Sequence, residues 1–285
     1  MRNFIVAAGL VMLCFGANAA KLTGTLKKIQ DTGVFTIGYI GDSQPFSFLN
    51  PQGTPVGYSL DLCRRIATAT KERLGLAELE TKFVELTNDN RFDAVESGLV
   101  DIECGTSTIT MSRLERVDFT LMTFVTGGSL LSRSDAPVRT ADELSGKTVV
   151  VIRGTTTETA LTAFLSENLI DAKVVTVANE PEGMASLQDG KADAFASDQV
   201  TLIGQIIESR DIRGYVLSQD LFSFEPYGLM VRRNDADFRL VANRAIAQIY
   251  RTGQFQSLFE KWFAAVGIKP SPVLVAMYKL QAIPE

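Results

Sequence analysis

Small hydroxyl side chains and an arginine crowd into one short stretch of this chain. The segment 105–120 reads GTSTITMSRLERVDFT, in which Thr106, Thr108 and Thr110 shortly precede Arg113. Hydroxyls gather where a turn needs side-chain acceptors or where a ligand needs hydrogen-bond partners, and an arginine fork matches a carboxylate. An arginine here could equally join a solvated turn of mixed charge, so the stretch by itself leaves both interpretations open.

Two further polar positions follow strand-like runs. Asp198 ends the run DAFASD, and GTTTE at 154–158 follows KTVVVI and opens a helix whose free N–H groups can hold an anion. Each has a local alternative, since Asp198 could cap the next helix and Thr155 with Glu158 fits a capping box. The local alternatives do not explain why a cation, an anion and an open helix start recur at equivalent strand ends.

An α-amino acid would explain this combination. Its carboxylate needs a planar cation, which Arg113 offers in bidentate form, and its ammonium needs a fixed anion, which Asp198 offers. The open helix start adds a second hold on the carboxylate, and Thr106 and Thr108 supply further hydrogen bonds. We therefore predict that these residues surround one zwitterionic ligand.

The elements that must position these residues alternate between strand and helix. Strands are predicted at residues 34–39, 82–86, 101–104, 147–152, 173–177, 192–196 and 227–231. Helices are predicted at residues 59–71, 89–97, 158–167, 182–189, 198–209, 235–250 and 254–263. This order predicts an α/β fold of mainly parallel sheets covered by helices.

The runs FDAVESGLVDIECGT and MASLQDGKADAFASD echo one another. In each, a glycine (Gly98 or Gly190) is followed three residues later by an aspartate and then by a strand. The glycine is expected to end a helix in the left-handed conformation, a common solution in α/β turns. Together with the repeated order of elements, the echo predicts two similarly built lobes. Their strand ends would bring Thr106 and Asp198 to face one another across a cleft.

Composition narrows the classes of function. Residues 1–19 combine Arg2, an uncharged apolar run and the ending ANA, which is typical of a cleaved Sec-type signal peptide, and the run is too short to span a bilayer. The formal net charge of −5 at pH 7, without a basic block, argues against nucleic acid as a partner. Because the chain contains no histidine, Ser-His-Asp and Cys-His catalysis are excluded and no zinc site is expected.

Two cysteines remain after the signal peptide, Cys63 and Cys104. An extracytoplasmic compartment permits a disulfide, but two cysteines so far apart in different elements do not demand one. We therefore favour buried free thiols at both positions.

Six motifs, spread over nearly the whole mature chain, carry a resemblance to a known family. They are PFSF at 45–48, GYSLDL at 57–62, ECGTSTITMSRLERVDFT at 103–120, LSGKTVVVIRGTTTE at 144–158, DAFASD at 193–198 and FEPYGLMV at 224–231. The sequence resembles the periplasmic solute-binding proteins of polar amino acid ABC transporters, bacterial family 3. The resemblance implies a two-lobed type II periplasmic binding protein fold, with the ligand in the interlobe cleft. The cleft would close about connecting segments at 123–128 and 223–227.

The resemblance also implies roles for single residues. In the family, the position matching Arg113 binds the ligand α-carboxylate, assisted by those matching Thr108 and Thr156. The position matching Asp198 takes the α-ammonium, together with the one matching Thr106. A free L-amino acid as ligand, a membrane permease as partner, a monomer and no cofactor are implied. The lobes would comprise residues 20–124 with 227–285, and residues 125–226.

The resemblance to one subgroup of the family predicts which residues contact the ligand side chain. The chain is most similar to the glutamate/aspartate-binding proteins, in which the position matching Arg91 binds the side-chain carboxylate. A basic position of that subgroup is Ile40 here, and a histidine position is Glu180, while Asn88 stands where other subgroups place an aromatic ring. The predicted side-chain pocket contains these four residues. Arg91 favours an acidic ligand slightly, whereas an Arg91–Glu180 pair would leave a neutral pocket suited to glutamine or asparagine.

The leading hypothesis is a periplasmic protein that captures a polar or acidic L-amino acid and hands it to a permease, without catalysis. The same fold is known in periplasmic cyclohexadienyl dehydratases, where a buried carboxylic acid drives elimination from a ring. Glu180 is the spare acid near the cleft for such a role. A ligand sensor that docks on a receptor is the third hypothesis, since its sequence could look identical.

Overall fold

The computed structural model describes residues 22–264 and 267–285 of the chain. The predicted signal peptide, residues 1–19, lies outside the described residues. Within the described ranges, no helix combines the length and the apolar character that crossing a membrane requires. The described chain builds two separate five-stranded sheets, with helices packed against each.

The α-helices and strands follow one another in close alternation. The helices of the described residues are α1 (Gly24–Thr32), α2 (Tyr58–Leu74), α3 (Arg91–Glu96), α4 (Met111–Leu114), α5 (Thr156–Glu167), α6 (Glu180–Gln188), α7 (Gln199–Ser209), α8 (Ala236–Arg251), α9 (Gln254–Trp262) and α10 (Pro272–Leu280). The strands are β1 (Val34–Ile40), β2 (Asp42–Ser43), β3 (Ser47–Leu49), β4 (Pro55–Val56), β5 (Glu80–Leu86), β6 (Ile102–Glu103), β7 (Val117–Phe119), β8 (Phe124–Thr126), β9 (Gly128–Arg133), β10 (Thr148–Ile152), β11 (Lys173–Val177), β12 (Ala194–Asp198), β13 (Tyr215–Leu217), β14 (Glu225–Tyr227) and β15 (Met230–Arg232).

The two large sheets share one plan. The first has the strand order β5-β1-β6-β15-β7 and the second has the order β11-β10-β12-β9-β13. In each sheet the first three strands are parallel, and the fourth runs antiparallel to both of its neighbours. Four of the five strands therefore point the same way, which confirms the predicted mainly parallel sheets. The strands that lead to Thr106 and Asp198, β6 and β12, hold the same third position.

The repeated glycine–aspartate spacing has the same structural role in both halves of the molecule, the half that contains the first sheet and the half that contains the second. The two glycines predicted to end helices do so, with φ of 74° after α3 and 69° after α6. Asp101 then accepts a hydrogen bond from the backbone N–H of Thr36 in β1 at 2.7 Å. Asp193 accepts one from Thr148 in β10 at 2.8 Å. Each aspartate thereby fixes the start of the strand that neighbours its own.

The run KTVVVI forms a strand that is buried on both faces. Val149 and Val151 of β10 belong to one apolar cluster, with side chains of α5. Val150 and Ile152 belong to another cluster, with side chains of α6. Because successive side chains of a strand point to opposite faces, a continuous apolar run suits a sheet covered on both sides.

The chain passes between the two sheets along β8 and β14, which pair antiparallel as a two-stranded ribbon. Both strands lie within the segments predicted to connect the lobes. Phe124 of β8 and Tyr227 of β14 pack against Phe46, with ring centroids 5.0 Å and 5.3 Å from it. Phe263 lies 5.3 Å from Phe46 as well. This aromatic cluster anchors the ribbon in the core of the first sheet.

Cys63 and Cys104 form a disulfide, with Cα atoms 6.5 Å apart, so the prediction of free thiols is wrong. Cys63 lies in α2, which packs against β1, and Cys104 directly follows β6, the neighbour of β1 in the sheet. The sheet order therefore brings the two cysteines together across 41 residues of sequence.

The predicted strand at 227–231 is in fact two strands. The N–H of Gly228 donates to the carbonyl of Ser107 at 3.1 Å, between the end of β14 and the start of β15. The chain thereby leaves the crossover ribbon and enters the first sheet. A continuous apolar sequence hides this change of partner.

Candidate functional site

Eight of the nine side chains predicted to contact the ligand line one cavity between the two sheets. They are Arg91, Asn88, Thr106, Thr108 and Arg113 from the first half, and Thr156, Glu180 and Asp198 from the second. The ninth, Ile40, does not join them. Its side chain is buried among Leu86 and Val100 in an apolar cluster, and the residue lines a neighbouring cavity of about 300 Å³.

Arg113 reaches the cavity from α4, a helix of a single turn. The hydroxyl of Thr110 caps that turn by accepting the backbone N–H of Arg113 at 3.2 Å. The guanidinium donates through Nη1 to the carbonyl of Thr108 at 2.9 Å, and its central carbon lies 5.4 Å from the centre of the Phe92 ring. Burial, with the neighbouring Arg91, lowers the pKa of Arg113 to about 10, so the guanidinium stays charged at neutral pH.

The solvated turn of mixed charge exists, but it belongs to a different arginine. Arg116 contacts Asp93 and Glu96 at 2.7 Å each, with its side chain 48% exposed. Arg113 instead lines the cavity. The surface-turn interpretation therefore applies to Arg116 and not to Arg113.

Asp198 stands at the N-cap position of α7 without capping the helix. Its Oδ1 accepts from the hydroxyl of Thr157 at 2.8 Å, and its Oδ2 accepts from the hydroxyl of Tyr227. Burial, with the nearby carboxylate of Glu225, raises the pKa of Asp198 to about 6. The carboxylate is therefore mainly ionised at neutral pH, and two hydroxyl groups fix its orientation. A ligand ammonium would supply the counter-charge that burial makes favourable.

The capping box predicted at the start of α5 is present. Thr155 accepts from the N–H of Glu158 at 3.1 Å, and the Glu158 carboxylate accepts from the N–H of Gly154 at 2.7 Å. This confirms the local interpretation for Thr155 and Glu158. Thr155 also lines the cavity, together with Thr156, the next residue along.

Glu225 is a buried polar residue that was not predicted from the sequence. It lies in β14 and is only 2% exposed. Its Oε2 accepts from the hydroxyls of Thr108 and Thr156, both at 2.6 Å, and its Oε1 accepts from Ser223 at 2.6 Å. One carboxylate thus links a hydroxyl from each half. An acidic residue inside a crossover strand of large side chains was the available signal.

Arg91 and Glu180 are the most buried charged side chains that line the cavity, at 3% and 5% exposure. Glu180 accepts through Oε1 from Ser197 at 2.8 Å. Its Oε2 and the Nε of Arg91 have no hydrogen-bond partner among the described residues. Burial raises the pKa of Glu180 to about 8 and lowers the pKa of Arg91. The described side chains therefore show no Arg91–Glu180 pair of the kind that would leave a neutral pocket.

The two halves contact one another around the cavity. Arg153 and Asp89 form an ion pair at 2.7 Å. Gly204 of α7 lies so close to the first half that a Cβ atom there would stand 2.2 Å from the carbonyl oxygen of Gln44. The cavity has a volume of about 30 Å³, which suits a few water molecules at most. An amino acid therefore needs the halves to separate before it can enter.

The sequence model of the bacterial extracellular solute-binding proteins, family 3, matches residues 35–265. The chain belongs to this family. Among similar proteins, the L-glutamate/L-aspartate-binding protein of Pseudomonas aeruginosa is 38% identical over 246 residues, which cover 86% of this chain and 82% of the relative. The glutamate/aspartate import solute-binding protein of Salmonella typhimurium is 32% identical over 258 residues, covering 90% and 85%.

A solved structure extends the comparison. The ancestral amino acid-binding protein AncCDT-1, a precursor of cyclohexadienyl dehydratase, superposes with a TM-score of 0.73 at 29% identity, covering 84% of this chain and 100% of the other. Family 3 membership confirms the resemblance drawn from the six motifs, and the two sheets with their shared plan fit the two-lobed fold. The matched segment includes every residue that lines the cavity.

Proposed function

We propose that this protein captures a polar or acidic L-amino acid outside the cytoplasm and delivers it to an ABC permease by cleft closure. Arg113 and Asp198 support the proposal most directly, because a cation and an anion from different halves line one small cavity. Such a pair can hold the two ends of a zwitterion. Thr106, Thr108 and Thr156 lie beside them as hydroxyl donors and acceptors.

Glutamate or aspartate is slightly favoured over glutamine or asparagine. Arg91 lines the cavity without an ion-pair partner among the described side chains, and two relatives that cover most of this chain are named for glutamate and aspartate. Charge-assisted contacts of about 1.5–3 kcal/mol each can together support micromolar affinity, about 8 kcal/mol. Ile40 takes no part in this contact set, because it packs in the apolar cluster of β1.

A thermal-shift screen over the common amino acids tests the proposal. A ligand present at about 100 times its dissociation constant raises the free energy of unfolding by about 2.7 kcal/mol. We expect that increase for glutamate or aspartate first and for their amides second. Calorimetry on each hit then gives the affinity. A screen without any hit among the amino acids would remove the proposal.

The cellular location of the protein follows from the same proposal. We place the mature protein in the periplasm as a monomer, cut before Ala20, with lobes formed by residues 20–124 with 227–285 and by residues 125–226. The crossover ribbon of β8 and β14 supports these boundaries. Mass spectrometry of the secreted chain measures the mature end, and uptake assays in a strain without the gene separate transport from sensing.

A second candidate is an eliminating enzyme on the same fold. It is favoured by Glu180, a buried carboxyl whose pKa is raised to about 8, and by the similarity to a precursor of cyclohexadienyl dehydratase. A carboxylic acid protonated at neutral pH can act as a general acid. Incubation with prephenate or arogenate, followed by absorbance of an aromatic product, tests it. We expect no product, in keeping with a binding protein.

A further inference from the structure

Two buried polar groups at the cavity have no hydrogen-bond partner among the described residues, and a ligand could supply one to each. Among the described residues that line the cavity, the Oε2 of Glu180 and the Nε of Arg91 are the buried side-chain atoms without a hydrogen bond. A buried polar atom without a partner destabilises the protein, because the atom has lost its hydrogen bonds to water. Neither residue is used by the proposed grip on the α-carboxylate and α-ammonium. These two groups are therefore free to recognise the distal part of the ligand.

The surroundings of Glu180 are acidic. Helix α6, which begins at Glu180, packs against β2, β9, β10 and β12. Strand β2 brings Asp42 and strand β12 ends at Asp198, and both carboxylates disfavour an anionic Glu180. Arg133 of β9 contacts the opposite end of α6, where it donates to the carbonyl of Leu187 at 3.0 Å. Strand β10 contributes no titratable side chain.

Two cations share the cavity, Arg91 and Arg113, and neither forms an ion pair with Glu180 among the described side chains. Burial dominates the balance and raises the pKa of Glu180 to about 8, while the hydrogen bond from Ser197 acts in the opposite direction. At neutral pH the carboxyl therefore keeps its proton for most of the time. A protonated carboxyl is a hydrogen-bond donor as well as an acceptor.

We propose that Glu180 acts as a neutral hydrogen-bond donor to the distal group of the ligand, beside the guanidinium of Arg91, and that its proton selects an acidic side chain over an amide. This inference rests on the proposed function. With Glu180 neutral, the pocket carries one negative charge fewer near Arg91, whose guanidinium also feels the buried Glu103, and a ligand carboxylate meets less repulsion. With Glu180 ionised, a ligand carboxylate would meet a like charge.

The proton on Glu180 therefore sets a ligand preference that changes with pH. Binding of glutamate requires the protonated form, so its affinity falls as pH rises through the pKa of the unliganded protein. Glutamine has no charge on its distal group and does not share this requirement. Glutamate and glutamine carry the same α-carboxylate and α-ammonium, so the ratio of their dissociation constants cancels titration of Asp198 and of the ligand ammonium.

The test is calorimetry with L-glutamate and L-glutamine at pH 6, 7, 8 and 9. In the wild-type protein we expect the preference for glutamate to fall roughly tenfold between pH 7 and pH 9, which is the change for one proton at a pKa of about 8. Glu180→Gln keeps a donor amide at every pH and should flatten this ratio. Glu182→Gln, the same change two residues along α6 at an exposed position, should keep the wild-type slope.

Ser197→Ala gives a second, independent readout. It removes the hydrogen bond that lowers the pKa of Glu180, so the fall in preference should begin at a higher pH. A flat ratio in the wild type, or equal slopes in wild type and Glu180→Gln, overturns the role of Glu180 while amino-acid binding stands. If neither ligand binds at pH 7, the proposed ligand class and this inference fall together.

Discussion

The hydroxyl oxygens of Thr108 and Thr156 lie 3.2 Å apart, although the two residues belong to opposite halves of the molecule. Both hydroxyls donate to the same carboxylate oxygen of Glu225 in the crossover strand. The resemblance to the family predicts that the same two threonines assist in binding the ligand α-carboxylate. A carboxylate of the protein thus already engages two groups that are predicted to hold a carboxylate of the ligand.

Arg113→Ala should weaken amino-acid binding strongly. The variant leaves a buried ligand carboxylate without its cation, which costs about 2–5 kcal/mol, and calorimetry measures the loss directly. Arg116→Ala is the matched control, because Arg116 lies three residues away in exposed ion pairs and outside the cavity. Equal affinities in Arg113→Ala and the wild type would take Arg113 out of the site.

Gly204→Ala should weaken binding without unfolding the protein. Its Cβ would meet the carbonyl oxygen of Gln44 at 2.2 Å across the cleft, a clash that opening of the cleft relieves. In the unliganded protein the extra methyl favours helix α7 by up to about 1 kcal/mol. We expect unchanged or higher stability in urea and at least a tenfold loss of affinity (~1.4 kcal/mol).

Gly183→Ala provides the contrast. Its Cβ would lie 2.4 Å from the ring of Phe195 inside one half, so opening of the cleft cannot relieve it, and the unliganded protein should lose stability. If Gly204→Ala also lost stability in the absence of ligand, its clash would not be one between halves.

Acid should weaken the binding of every α-amino acid through Asp198. Its pKa is raised to about 6, so the carboxylate that is proposed to hold the ligand ammonium is protonated below that pH, and affinity should fall about tenfold per pH unit as the pH decreases further. Glu225→Gln removes a negative neighbour, lowers the pKa of Asp198 and should move the fall to lower pH. Glu167→Gln, at the exposed far end of α5, should leave the profile in place. Coincident profiles in all three proteins would contradict the coupling of Glu225 to Asp198.

Reduction of the disulfide between Cys63 and Cys104 should destabilise the protein. The disulfide closes a loop of 41 residues. In the chain-entropy description, this restriction of the unfolded chain raises the free energy of unfolding by about 4 kcal/mol. Urea unfolding with and without a phosphine reductant measures the difference. The double variant Cys63→Ala/Cys104→Ala should not respond to the reductant. A wild-type protein equally indifferent to reduction would mean that the bond adds no stability.

Much of the fold is legible in the sequence because its strands are buried. The run KTVVVI, the alternation with amphipathic helices and the glycine–aspartate echo all report local structure. Strands β7 and β9 were not predicted, since each pairs only with strands that come much later in the chain. The disulfide was missed for the same reason, because only the sheet order brings α2 and the end of β6 together.

The candidate site could likewise be predicted only in part from the sequence. That Arg113 and Asp198 line one cavity could be predicted, because Arg113 lies in the segment after β6 and Asp198 ends β12, and ligands bind at such strand ends in parallel sheets. Glu225 was not, because its role depends on hydroxyls contributed by both halves. Ile40 was placed with the site by likeness to a basic residue, but an aliphatic side chain at the end of β1 gains more from the apolar cluster beside it.

The crossover ribbon restricts how the molecule can move. A single crossing strand could swivel as well as bend, but β8 and β14 are hydrogen-bonded side by side, and twisting would break their ladder. Bending about one axis, across the ribbon, is then the soft degree of freedom. Tyr227 lies in that ribbon, so rotation about the axis would carry its hydroxyl towards or away from Asp198. Movement of the two halves would then be coupled to the carboxylate that is proposed to hold the ligand ammonium.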